Sequence, residues 1–138
     1  MLWNLMHEAR GEGTEGMLAV ANVVANRVLS DKYPSTVCGV VLQKNQFSWT
    51  RDKTKVQQMI SGGSGAFKRS VQRRGTEDYL AYQRAVQIAS MSVLELSRMV
   101  PRGGNEGTMH YAHRRVDNEW TRRMKVQYIV KNHVFYSI

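Results

Sequence analysis

Residues 15–30, EGMLAVANVVANRVLS, read as a helix that belongs inside the molecule. Its apolar set, Met17, Leu18, Val20, Ala21, Val24 and Val28, wraps too wide an arc for a surface helix, so the rest of the chain has to close around it. Thr14 is the expected N-cap, and Glu15 falls in the first turn, where an acidic side chain meets the positive end of the helix. A chain of 138 residues with 42% apolar content buries such a helix in one domain, residues 1–138, without disulfides or metal staples. The lone cysteine, Cys38, excludes an internal disulfide and fits a reducing compartment; in an apolar run with no nearby base it reads as a packed, inert thiol.

Ahead of this helix, Leu2, Leu5, Met6 and Ala9 share one face of a short helix, which Gly11 and Gly13 stop. After it, Pro34 breaks the chain, and TVCGVVLQ is a short apolar segment open to helix or strand. Residues 44–75 look loop-rich, with SGGSG at 61–65 as a flexible turn. Thr76, Glu77 and Asp78 open what reads as the longest helix, reaching about Met99 by cap reasoning. The β-branched and aromatic tail, TMHYAHRRV and VQYIVKNHVFYSI, suggests short strands. The fold class is therefore α+β, mostly helical, with a small antiparallel β element near the C-terminus.

Twenty Lys and Arg face eleven Asp and Glu, a formal charge of +9. Basic pairs recur at Lys68-Arg69, Arg73-Arg74, Arg114-Arg115 and Arg122-Arg123. Such a surplus attracts polyanions, either nucleic acid or an acidic bacterial envelope, unless it is only a solvated surface. No apolar run approaches the roughly 20 residues of a membrane helix, so stable membrane insertion is not expected. The opening MLWNLMHEAR lacks a secretory pattern, so synthesis in a cytoplasm without a signal peptide is expected, as a monomer.

The acids are concentrated at HEARGEGTEG, residues 7–16, which holds Glu8, Glu12 and Glu15. Its first residues imitate the zinc pattern HExxH, but Gly11 stands where the second histidine is required. The other histidines lie far along the chain, and no metal or other cofactor is expected. GGSGAFKRS is glycine-rich and basic but lacks the spacing of a phosphate loop. Glu8 is different. In the last turn of a helix it meets the negative end of the peptide dipoles, and packing by Trp3 or Met6 adds desolvation. Both raise its proton affinity, which is the requirement for a general acid in glycoside cleavage. The plain alternative is a solvent-facing Glu8 paired with Arg10 or Arg27, and Glu15 reads as a helix-start residue.

Three ordered blocks, HEARGEGTEGMLAVANVVANRV, YPSTVCGVVLQKNQFSWT and HYAH…W…M…NHVFY, resemble the SleB-type cell-wall hydrolases, also called spore-cortex-lytic enzymes. The resemblance runs from about Leu2 to Tyr136 and is weakest over residues 53–75. It implies a lysozyme-like, lytic-transglycosylase-like catalytic domain acting on peptidoglycan glycan strands. It also implies that Glu8, first glutamate of EARGE, is the catalytic acid. The expected reaction protonates the oxygen between N-acetylmuramic acid and N-acetylglucosamine, after which the C6 hydroxyl closes on C1 as a 1,6-anhydro end. Such chemistry needs one carboxyl, whereas hydrolysis needs a second about 5–9.5 Å away, for which Glu12 and Asp52 are candidates.

The substrate-binding set expected from these blocks is Glu12, Gln46, Phe47, Ser48, Trp49, His110 and Tyr111. Phe47 and Trp49 stand as sugar platforms or core filler. His110 and Tyr111 alternate along a strand, so only one readily faces a cleft. His113 and His133 read as structural, and Trp120, Phe135 and Tyr136 as closing the core. The resemblance, without a signal peptide or wall-binding module, suggests a phage lysin that waits in the host cytoplasm and acts on the wall after release. Basic charge would then hold it on the anionic envelope. The alternatives are a hydrolysing muramidase of the same fold and a non-catalytic, basic nucleic-acid-binding protein.

Overall fold

The computed structural model describes residues 1–73, 75–101 and 103–138, with side chains described within residues 53–72 except at 63, 64, 66, 67 and 70. Arg74, half of one basic pair, lies outside the described residues. Helix α1 (Leu2–Ala9) turns sharply into α2 (Gly13–Leu29). The turn is made at Gly13, whose φ of 73° suits a residue without a side chain. That turn starts α2 ahead of Thr14, which therefore lies inside the helix and is not its cap, while Glu15 does occupy the first turn. As expected, α2 is central: Met17, Ala19, Val20, Ala21, Val23, Val24 and Ala25 are fully buried.

One stripe of α2 is polar, and it is buried too. Asn22 donates to the carbonyls of Leu96 and Ser97 at 2.9 and 3.1 Å. Asn26 donates to Asn22 Oδ1 at 3.1 Å and to the Thr108 carbonyl at 2.8 Å. Arg27 Nε donates to the Met109 carbonyl at 2.9 Å. The helix thus supplies donors both to the free carbonyls at a helix end, Leu96 and Ser97, and to the irregular stretch at Thr108 and Met109.

TVCGVVLQ resolves into helix α3 (Val37–Val41), capped by Thr36, which accepts from the Gly39 N–H at 3.0 Å. Only Val40 and Val41 of this helix are buried, and Cys38 is exposed, not packed. A 3₁₀ turn (Ser48–Arg51) leads into α4 (Lys53–Gln72), the longest helix, where loop had been expected. Asp52 caps it, accepting from the N–H groups of Thr54 and Lys55 at 3.0 and 3.3 Å. Glycine in a helix costs about 1 kcal/mol each against alanine. Packing of Val56, Met59 and fully buried Val71 against the core outweighs that.

The expected helix from residue 76 to about 99 is two: α5 (Thr76–Ala89) and α6 (Val93–Arg98). Ser92 restarts it with a capping box, accepting from the Glu95 N–H at 3.1 Å while its own N–H donates to Glu95 Oε2 at 2.8 Å. The tail forms β1 (His110–His113), a short helix α7 (Glu119–Arg123), β2 (Lys125–Val130) and β3 (His133–Ser137). The strands pair antiparallel in the order β1-β3-β2. A register shift between Val126 and Tyr128 flips the alternation of β2 and sets Tyr128 opposite Phe135. Tyr111, also opposite Phe135, completes an aromatic row across all three strands: the Phe135 ring lies 5.4 Å from Tyr111 and 4.8 Å from Tyr128.

Candidate active site

Glu8 occupies the last turn of α1, with its side chain half-buried. Neither Arg10 nor Arg27 pairs with it: Arg10 reaches Asp78 at 3.5 Å, and Arg27 bonds Met109 and Gln46. Its partner is Tyr111, whose hydroxyl donates to Glu8 Oε2 at 2.8 Å. Burial raises the carboxyl's proton affinity above the ordinary glutamate range, and the hydrogen bond from Tyr111 opposes this only in part. Burial and the adjacent carboxyl push the Tyr111 hydroxyl well above the ordinary tyrosine range, so it stays a donor. With Oε2 engaged, Oε1 is the oxygen left to carry a transferable proton.

The aromatic row fixes Tyr111. Phe135 is fully buried behind it, and Phe47 and His133 flank it at 6.4 and 5.4 Å between ring centres. Glu12 does not share the face of Glu8, because the turn after α1 carries it elsewhere. Its Oε1 lies 3.6 Å from His133 Nδ1 and its Oε2 accepts from the Asn132 N–H at 3.3 Å. Burial lowers the proton affinity of His133 against the pull of Glu12, so its imidazole is neutral at pH 7. Glu12 therefore ties the β2–β3 turn to the start of α2. Asp52 is occupied as the cap of α4.

A cleft of about 380 Å³ opens beside Tyr111, bordered by Arg27, Tyr33, Gln46, His110 and Trp120. Both His110 and Tyr111 line it, although they alternate along β1, an edge strand. Burial and the charge of Arg27 keep His110 below the ordinary histidine range. Gln46 is exposed at the rim, where its Oε1 accepts from Arg27 Nη1 at 3.2 Å, and Ser48 is exposed beside it.

Phe47 and Trp49 are corrections to the expected binding set. They are 2% and 6% exposed, and Trp49 stacks on His7 at 4.7 Å and donates to Asn4 Oδ1 at 2.9 Å. Burial alternates through the QFSWT segment and turns both aromatics inward, where Trp49 holds α1 and Phe47 packs beside Tyr111 and Arg27, so neither offers a free face to a sugar.

Trp120, expected to close the core, is 39% exposed and borders both this cleft and a neighbouring groove of about 550 Å³. Its ring stands edge-on to Tyr136 at 5.8 Å and tilts against His110 at 6.4 Å. Arg27, only 4% exposed, is the other missed element of the cleft. Among the described residues no three His, Cys, Asp or Glu side chains gather closely enough to hold a metal ion. The arrangement places a half-buried carboxyl, biased toward its protonated form, one hydrogen bond away from the Tyr111 that lines the cleft.

The sequence pattern described as Cell Wall Hydrolase matches residues 11–136, and this chain belongs to that family. The match begins three residues beyond Glu8, so Glu8 rests on the geometry above. Spore cortex-lytic enzymes of Oceanobacillus iheyensis and Bacillus cereus are 47% and 44% identical to it over 45 residues. That stretch is 33% of this chain and only 16% and 17% of theirs. The fold is that of the catalytic domain of the germination-specific lytic transglycosylase SleB from Bacillus anthracis and of the Bacillus cereus SleB catalytic domain. The TM-score is 0.59 for both, over 99% of this chain and 90% and 86% of theirs, at 21% and 20% identity. The expected α+β architecture is thus the observed one, and a nucleic-acid-binding role loses its ground.

Proposed function

We propose that this chain cleaves the β-1,4 bond between N-acetylmuramic acid and N-acetylglucosamine in peptidoglycan, as a lytic transglycosylase. The observation that carries this reading is the 2.8 Å bond from Tyr111 to a half-buried Glu8 whose carboxyl is biased toward its protonated form. Glu8 Oε1 delivers its proton to the glycosidic oxygen as the C1–O bond breaks and positive charge builds at C1. The muramoyl C6 hydroxyl then attacks C1, and its proton returns to the Glu8 carboxylate, which restores the acid. Tyr111 holds the carboxylate in place between the two steps.

Transglycosylation is favoured over hydrolysis by what the other acids do. Glu12 is bonded to Asn132 and Asp52 to the start of α4, so neither is a free base for water. Trp120 takes over the part of sugar platform, with Gln46 as a hydrogen-bonding group at the rim and the exposed Ser48 two residues further along the chain. Release from a cytoplasm onto the wall belongs to the same proposal, with unpaired basic side chains retaining the protein on the anionic envelope. Arg122 and Arg123 contribute less, because they already pair with Asp117 and Glu119.

The test is Glu8→Gln on purified sacculi, with folding checked by circular dichroism. Loss of turbidity clearance and anhydro ends in the wild-type digest are expected. Reducible ends would instead assign a hydrolysing muramidase, and clearance by the variant would remove Glu8 from its role.

A further inference from the structure

Arg27 stands on the cleft with a charge that no described carboxylate pairs. It is 4% exposed, yet among the described residues no ion pair includes it. Nε is spent on the Met109 carbonyl at 2.9 Å and Nη1 on Gln46 at 3.2 Å, while Nη2 has no acceptor among the described hydrogen bonds. The rings of Tyr33 and Phe47 lie 5.3 and 5.6 Å from its central carbon, which fixes the plane of the fork. A guanidinium held this rigidly, bordering open space and short of an acceptor, is a preformed site for an oxygen of the ligand.

We propose that Arg27 receives the acyl oxygen of the D-lactyl group, the substituent that distinguishes muramic acid from glucosamine. This rests on the peptidoglycan reading above and assigns its sugar selectivity. The lactyl ether at C3 ends in a carboxylate on peptide-free glycan and in an amide carbonyl where a stem is attached. Both accept from a guanidinium, the carboxylate more strongly. Glucosamine carries only a hydroxyl at C3 and leaves the fork unsatisfied. Arg27 is therefore a specificity residue, set beside Tyr111 on the same cleft so that reading the muramoyl ring also places it at Glu8.

The experiment measures binding by calorimetry in the Glu8→Gln background. Three tetrasaccharides serve: alternating N-acetylglucosamine and N-acetylmuramic acid, the same with its lactyl carboxyls reduced to alcohols, and chitotetraose. The parent is expected to bind about tenfold or more tightly than the other two, as a charge-assisted bond predicts. Adding Arg27→Met should erase that preference, bringing the parent to the same affinity as its reduced form. If Arg27→Met fails to fold, Arg27→Lys takes its place, since an ammonium lacks the planar fork that presents Nη2 to the ligand while Nε and Nη1 hold Met109 and Gln46. Loss of most of the preference is again expected.

Equal affinity for the parent and its reduced form overturns the proposal, as does an equal loss of all three ligands on substitution. The two readings fail separately. Sacculus clearance by Glu8→Gln removes the proposed catalysis and leaves any binding preference standing, whereas equal affinities remove Arg27 and leave the catalysis standing.

Discussion

The ends of α1 and α2 put opposite charges in the same helical position. Glu8 lies in the last turn of α1 and Arg27 in the last turn of α2. The unpaired carbonyls there favour a cation and penalise an anion. Burial, the larger influence, disfavours the charged form of both: it raises the proton affinity of Glu8 toward neutrality and lowers that of Arg27, whose guanidinium starts so far above neutral pH that it keeps its charge. Both act electrostatically on Tyr111, which stands between the two functions. One helix end stores a proton and the other a permanent charge, and the sign of the side chain alone makes the difference.

The largest effect that tests this contrast is Glu8→Gln, which should lower turnover by about 10²–10⁴-fold, the range of general acid catalysis. The same substitution should stabilise the fold. A carboxyl whose folded pKa is raised contributes stability below its unfolded pKa, and loses it as pH rises through the folded one. Glutamine does not ionise, so the variant's melting temperature should exceed wild type at pH 8 and converge with it at pH 4. An equal difference at both values would mean that Glu8 is not penalised as an anion. Wild-type activity falls over the same raised window, as the acid deprotonates.

On the Arg27 side, Asn22→Ala strands the carbonyls of Leu96 and Ser97 and should cost about 1–3 kcal/mol in urea unfolding. Tyr111→Phe keeps the aromatic row but removes the donor that lowers the Glu8 pKa. Its rate should fall about tenfold, as for a lost hydrogen bond to a charged group, and its alkaline limb should move to higher pH. Trp120→Ala should raise KM several-fold, roughly the value of one stacked ring, with little change in melting.

The Glu8 end was legible because its causes are local. A short apolar face, two glycines and a glutamate within one turn are all read from adjacent residues. The Arg27 end was not, because its partners lie 19 and 82 residues further along the chain. Yet Asn22 and Asn26, four apart on a helix otherwise built to be buried, were a signal that a polar seam ran along it. Ser92 and Glu95 carried the capping-box spacing that divides α5 from α6, outweighed by a continuous helical pattern. The glycines at 61–65 misled because local propensity yields to packing. Phe47, Trp49 and Trp120 exchanged places because aromatic content alone does not tell a wall from a core.

The bond between Glu8 and Tyr111 joins residues 103 positions apart, and the row supporting it closes only with Phe135. During synthesis the helices leave the ribosome long before either half of that support. The nascent polypeptide therefore gains an oriented acid only once β3 has been made and paired with β1.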